Sequence, residues 1–123
     1  GIPGENLLIL LELRLDNVMF RLGYGRTRKE ARQIVRHKHV YVNGKAVDIP
    51  SYQVKVGDVI SVKDKYADMQ RYKDILDVTA TRVVPEWLSA DHENLKGTVV
   101  CKPTRAMIDI PVEETLIVEL YSK

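Results

Sequence analysis

Arg28, Arg32 and Arg36 recur every four residues. On a helix this spacing sets three guanidinium groups in a row, each step rising about 6 Å, close to the separation of successive phosphates along a nucleic-acid strand. Guanidinium makes paired, charge-assisted hydrogen bonds to phosphate. Lys29, Lys38 and Lys45 widen the same surface, and His37 and His39 add donors at the helix end. Asn43 at a hairpin tip, with Tyr41 or Tyr52, is placed to touch bases or sugars, since splayed RNA bases stack on aromatic rings. Between Arg21 and Lys45 there are eight Lys or Arg, including Arg26, and one acid, Glu30. That is a local charge of +7 on a chain whose total is +2. A lone charge run is usually a solvated helix face, but this density on a capped helix points to a polyanion.

Other chemistry has little foothold. His37 and His39 are two apart and do not share a helix face, and neither His92 nor Cys101 forms a recognisable ligand pair, so no metal is expected. Gly23-Tyr24-Gly25 begins a GxGxxG but lacks its third glycine and reads as a helix–helix turn. There is no GKS or GKT, no HExxH and no GxSxG. Glu113 and Glu114 are adjacent and point apart. Neither a catalytic residue nor a cofactor is expected.

The elements that must position the basic residues follow from periodicity. Leu8, Leu11, Leu15, Val18, Met19 and Leu22 form one apolar stripe and predict an amphipathic helix over 6–22, with Arg14, Asn17 and Arg21 on its polar side and Gly23 as its stop. Thr27 to Glu30 has capping-box spacing and opens a second helix, with Ala31, Ile34 and Val35 facing the core. After His39 the period becomes two: Val40 to Val42, the Asn43-Gly44 hairpin signal, then Lys45, Val47 and Ile49 up to Pro50. A strand over Val59–Val62 follows the Gly57-Asp58 turn. The spacing predicts a helix over 67–77, loops and short turns over 80–97, and strands at Thr98–Lys102 and Leu116–Tyr121. Trp87, in PEWL, and Cys101 are expected in the core. Helices followed by strands indicate an α+β domain.

At 123 residues and 45% hydrophobic, the chain suffices for one ordinary core. Residues 1–65 hold twelve Lys/Arg against seven Asp/Glu, and residues 66–123 seven against ten, so a basic front half (+5) precedes an acidic back half (−3). The single cysteine excludes an intrachain disulfide and fits a reducing, cytoplasmic setting. The apolar run LLILLEL is too short to span a bilayer, so neither a membrane nor a signal peptide is expected. Opening on GIPGEN without an initiator Met, the chain reads as a fragment or processed product.

LLELRLDNVMFRLGYGRTRKEARQIVRHKHVYVNGKAVDIPSYQVKVGDVISV strongly resembles the S-four RNA-binding module. PEWLSAD, ENLKGTVV and ETLIVELYSK extend the likeness along nearly the whole chain, toward the S-four family of small-subunit ribosomal proteins, bacterial or organellar. The resemblance implies two packed helices against a small twisted antiparallel sheet, with a mixed helix and strand extension. Residues 1–13 would end a linker and start a helix, 14–65 would form the module, and 66–123 would pack on it. It implies binding to 16S-type rRNA at a multi-helix junction early in assembly, and contact with ribosomal protein S-five that affects decoding accuracy. Some members repress their own operon and help line the mRNA entrance. By position it assigns Arg14, Asn17 and Arg21 to the first-helix edge. Thr27, Arg28, Arg32, Gln33 and Arg36 fall on the second-helix RNA face, and His37, His39, Asn43 and Lys45 on the helix end and hairpin. Asp109, Glu113, Glu114 and Glu119 would face protein. Family members carry a further N-terminal region, absent from this sequence, which implies weaker and less selective binding here. The family pattern leads one to expect a small residue at Lys38 and a basic one at Cys101. The alternative is the same module appended to an RNA-modifying enzyme or a tRNA synthetase.

Overall fold

The leucine stripe at the start of the chain builds two helices, not one. The computed structural model describes residues 4–107, and in it α1 runs Gly4–Glu12 and α2 Leu15–Leu22. Between them Arg14 is extended, at φ −66° and ψ 141°. The expected continuous helix over 6–22 is interrupted because the segment around residues 50–54 takes its place on the backbone. Leu15 N donates to Tyr52 O at 2.9 Å, Asp16 N to Pro50 O at 3.1 Å, and Val54 N to Leu13 O at 3.0 Å. No breaker residue announces this kink; the groups that stabilise it come from some forty positions away.

Helix α3, Arg28–Arg36, starts where the capping residue predicts, with Glu30 N donating to Thr27 Oγ1 at 3.0 Å. The reciprocal half of the box differs from expectation. The Glu30 carboxylate accepts from Arg26 N at 2.7 Å, one residue before the cap. Both α2 and α3 end in the same motif, a residue in the left-handed region with the next amide reaching back five residues. For α2 the pivot is Gly23 at φ +92°, with Tyr24 N bonded to Met19 O. For α3 it is Lys38 at φ +66°, with His39 N bonded to Ile34 O at 3.3 Å. A side chain there costs about 1 kcal/mol that glycine would not. Lys38→Gly is therefore expected to raise stability by up to about 1 kcal/mol, read as a higher urea midpoint at unchanged slope.

After helix α3 come β1 (Val40–Val42), β2 (Lys45–Ala46), β3 (Val59–Val62), helices α4 (Asp64–Ala67) and α5 (Gln70–Thr79), and strands β4 (Leu88–Asp91) and β5 (Lys96–Val99). The five strands form one antiparallel sheet in the order β2-β1-β3-β5-β4. Asn43 and Gly44, at φ +53° and +79°, make the two-residue hairpin that their types foretell. The strand expected to run from Lys45 toward Ile49 stops at Ala46, and the helix expected over 67–77 is α5, shifted later and preceded by the short α4. The larger correction is at 80–97. What reads as loop contains β4 and the start of β5, and the strand expected at Thr98–Lys102 is β5, two residues earlier. LSAD and KGTV lack a clear apolar alternation; they become strands because β3 offers a free edge. The strand expected at Leu116–Tyr121 lies outside the described residues.

Helices α2 and α3 cover one face of this sheet. Leu15, Val18, Met19, Leu22, Ile34 and Val35 pack with Val40, Ile60, Val62 and Val99, and Tyr72, Ile75 and Trp87 complete the cluster. Trp87 is fully buried, as expected, whereas Cys101, expected in the core, is half-buried at its edge beyond the end of β5. At Gly97 a Cβ would stand 2.5 Å from the Leu22 side chain, so any larger residue there would force Leu22 to shift within the core.

Candidate nucleic-acid interface

The amphipathic pattern of α3 buries Ala31, Ile34 and Val35 and turns the rest of the helix outward. Lys29, Arg32 and Arg36 are exposed and line a shallow groove along the helix with Thr27, Gln33 and His37. None of these three cations has a carboxylate within ion-pair distance among the described residues. The single acid of the groove, Glu30, is already engaged. Arg26 Nη2 lies 2.9 Å from its carboxylate and Arg71 Nη2 3.8 Å. The Arg26 hydrogen bonds, with the charges of Arg26 and Arg71, hold the Glu30 carboxyl below the usual carboxylate range. The face is thus positive with its internal counter-charge spent, as a surface for phosphate requires.

Gln33 is turned sideways, its Oε1 accepting from Arg71 Nη2 at 3.0 Å. Lys38 and Lys45 are exposed beyond the helix end and on β2. Asn43 is exposed at the hairpin tip, but its amide is occupied: Nδ2 donates to Asp58 Oδ1 at 2.9 Å, and Oδ1 accepts from Val59 N at 2.8 Å. It joins the hairpin to β3.

The first-helix edge is more internal than its polar pattern suggests. Arg14 pairs with Asp16 at 3.1 Å, and Arg21 with the buried Glu12 at 2.9 Å. Asn17 is buried, donating to Glu12 O at 2.7 Å and accepting from Arg28 Nε at 3.3 Å. Arg28 leaves the line of Arg32 and Arg36 and lies over the Phe20 ring, 4.4 Å from its centroid. The expected ladder of three arginines is therefore two on the groove and one at the edge between α2 and α3.

His39 is placed inward, not on the surface. It is buried, stacked on Tyr66 at 3.8 Å with rings 6° from parallel, and its Nδ1 is 2.7 Å from the Tyr72 hydroxyl. The chain turns at Lys38 and carries His39 down onto α4 and α5. Burial first, then the charges of Arg71, His37, Lys63 and Lys65, push the imidazole below its ordinary value. Below about pH 6.5 the unfolded chain takes up a proton that the folded chain resists. Stability is therefore full above that pH and falls as pH drops toward the lowered folded value. Urea midpoints measured from pH 7.5 to 5 should decline in the parent and decline less in His39→Gln.

The α2–α3 turn is clamped by residues that no local pattern marks. His92 Nε2–H donates to Leu22 O at 2.7 Å, Thr79 Oγ1–H to Gly23 O at 2.7 Å, and Arg82 to the carbonyls of Gly25 and Arg26. The Tyr24 hydroxyl, its pKa raised by burial, donates to the carbonyl of Lys96, with the carbonyl of Asp91 at 3.1 Å. Arg71 and Arg82, both beside the basic surface, were not among the sequence candidates. Arg71, near Lys73, and Arg82 both lie in a net-acidic stretch, and only the tertiary structure brings them beside the basic surface.

No helix among the described residues is long and apolar enough to cross a membrane, and no group of three or more His, Cys, Asp or Glu among them could hold a metal ion. The family described as S4 domain matches residues 13–60. Over all 123 residues the chain is 76% identical to the small ribosomal subunit protein uS4 of Lachnoclostridium phytofermentans and 67% identical to that of Lachnospira eligens, covering 62% of each. It is 58% identical to uS4A of Clostridium novyi, covering 59% of it. The chain thus spans about three fifths of the length of the curated relatives it matches.

Proposed function

We propose that this chain belongs to the uS4 family and, with its match to the S4 domain, is a non-catalytic rRNA-binding constituent of the small ribosomal subunit in the cytoplasm. The observation that carries this is the α3 face: Lys29, Arg32 and Arg36 exposed in one groove, without a described carboxylate partner and with Glu30 already neutralised. Backbone phosphates supply most of the affinity, and the rigid relation between α3 and the β1–β2 hairpin favours an RNA junction over a plain duplex. Residues 14–65 form the RNA-facing module. The following segment supports it by adding β4 and β5 to its sheet and clamping the α2–α3 turn.

The finer roles extend the same reading. The RNA is 16S-type rRNA bound during subunit assembly, ribosomal protein S-five is a neighbour of the C-terminal part, and mRNA passes near the basic surface. Asp109, Glu113, Glu114 and Glu119, assigned to protein contact, lie outside the described residues. Identity to uS4 proteins over the whole chain favours this reading over a module appended to an RNA enzyme.

The test is a salt titration of binding to a small-subunit rRNA junction fragment, with plain RNA duplex as competitor. A steep loss of affinity with salt and a clear preference for the junction are expected. Affinity indifferent to salt would overturn phosphate docking, and equal affinity for duplex would move specificity out of this chain.

A further inference from the structure

We propose that Phe20, Arg28 and Arg82 form a second phosphate site at the α2–α3 turn. It would seat one backbone phosphodiester of bound RNA and so draw a residue beyond the matched S4 domain into the interface. The proposal rests on the RNA-binding reading above.

Three guanidinium groups converge on one aromatic ring. Arg28, Arg82 and Arg21 lie 4.4, 5.0 and 5.9 Å from the centroid of Phe20. Arg21 is spent on Glu12 at 2.9 Å. Arg28 bonds a neutral amide, Asn17, and Arg82 bonds two backbone carbonyls, those of Gly25 and Arg26. Neither Arg28 nor Arg82 has a carboxylate at ion-pair distance among the described residues, so two full positive charges flank the same ring.

Such crowding is unfavourable without an anion. Burial first, then the neighbouring Arg21 charge, push the Arg28 guanidinium below its ordinary range, against the smaller opposing effects of Glu12 and Asp16. The ring packs against the guanidinium planes. Arg82 uses two of its five N–H donors on the turn, and the remaining three, with the free Nη groups of Arg28, are sufficient in number for the oxygens of one phosphate.

Two features favour RNA phosphate over an acidic peptide. Arg28 is the first residue of α3, so the site lies off the N-terminal end of the groove that holds Lys29 and Arg32, within reach of the same strand. The turn is also held in place before binding, with Thr79 and His92 fixing the carbonyls of Gly23 and Leu22, so little ordering remains to be done.

The experiment measures the salt dependence of binding of the full chain to the same rRNA junction fragment, for Arg82→Gln, Arg28→Gln, the double variant, and Arg32→Ala as reference. Arg82→Gln should lower affinity several-fold and flatten the log–log salt slope by about 0.7–0.9, the equivalent of one phosphate. Because both arginines hold the same group, the double variant should flatten the slope by little more than either single one. Arg82→Lys separates contact from folding: it restores the charge and most of the slope without the paired geometry. An unchanged slope in folded Arg82→Gln, while Arg32→Ala flattens it, overturns this site and leaves the α3 face standing. Stability lost in Arg82→Gln with the slope intact also overturns it, making Arg82 a clamp alone. A flat response to Arg32→Ala as well would remove the RNA reading itself.

Discussion

Replacing Lys29, Arg32 and Arg36 together by alanine should weaken binding to a small-subunit rRNA junction fragment by about a hundredfold near physiological salt, and flatten the salt slope by about two to three. The three side chains are exposed on one groove and make no ion pair among the described residues, so they are available to phosphate and unneeded by the fold. A charge-assisted hydrogen bond contributes about 1.5–3 kcal/mol when well formed, and hydration and screening in an open groove reduce each to about 1 kcal/mol. The fold should not suffer. Arg32 and Arg36 are like charges at i, i+4, whose repulsion costs a few tenths of a kcal/mol, so the variant should melt at or slightly above the parent temperature. Arg28 is left out because its guanidinium packs on Phe20 and bonds Asn17, and truncating it would mix lost packing with lost charge. A folded triple variant with the parent slope and affinity would show that RNA uses another face.

Trp87→Ala is expected to cost about 3–5 kcal/mol, much of the stability of an ordinary domain. Trp87 is completely buried and among the largest side chains of the core, in the stretch before β4 where the sequence gives no sign of a regular element. Its removal leaves a cavity beneath the sheet that completes the support of α2. The indole Nε1–H finds no acceptor among the described residues, so it contributes shape and not hydrogen bonding. Trp87→Phe should therefore cost far less than Trp87→Ala, since it gives up volume but relieves an unsatisfied donor. Urea unfolding of both variants decides the point. Equal losses for Phe and Ala would mean that the indole nitrogen matters and that a bonding partner for it exists.

The elements nearest the basic surface were the most legible. Thr27 caps α3, Asn43-Gly44 turns the hairpin, and Gly23 ends α2, because in each case the residue type satisfies a local backbone demand within four positions. Two readings made from the same local rules missed. The kink at Leu13–Arg14 and the β4–β5 hairpin both arise from backbone partners distant in sequence, Tyr52 and Pro50 for the first and β3 for the second. Periodicity cannot register such a partner. His39 shows the same limit at one residue: a histidine after a basic helix reads as a surface donor, yet the left-handed turn at Lys38 sends it into the core beside Tyr66 and Tyr72.

By itself, the sequence determined the sign and location of the concentrated positive charge, the two helices and hairpin that present it, and the absence of any recognisable catalytic motif. These depend on residue type, spacing and local capping, all of which are short-range. Only the tertiary structure decided which charges are available. It spends Arg14, Arg21 and Arg26 on Asp16, Glu12 and Glu30, diverts Arg28 to Phe20, buries Asn17 and His39, and brings Arg71 and Arg82 to the surface from the acidic half. Charge availability is a property of pairs, and the pairs form across the fold.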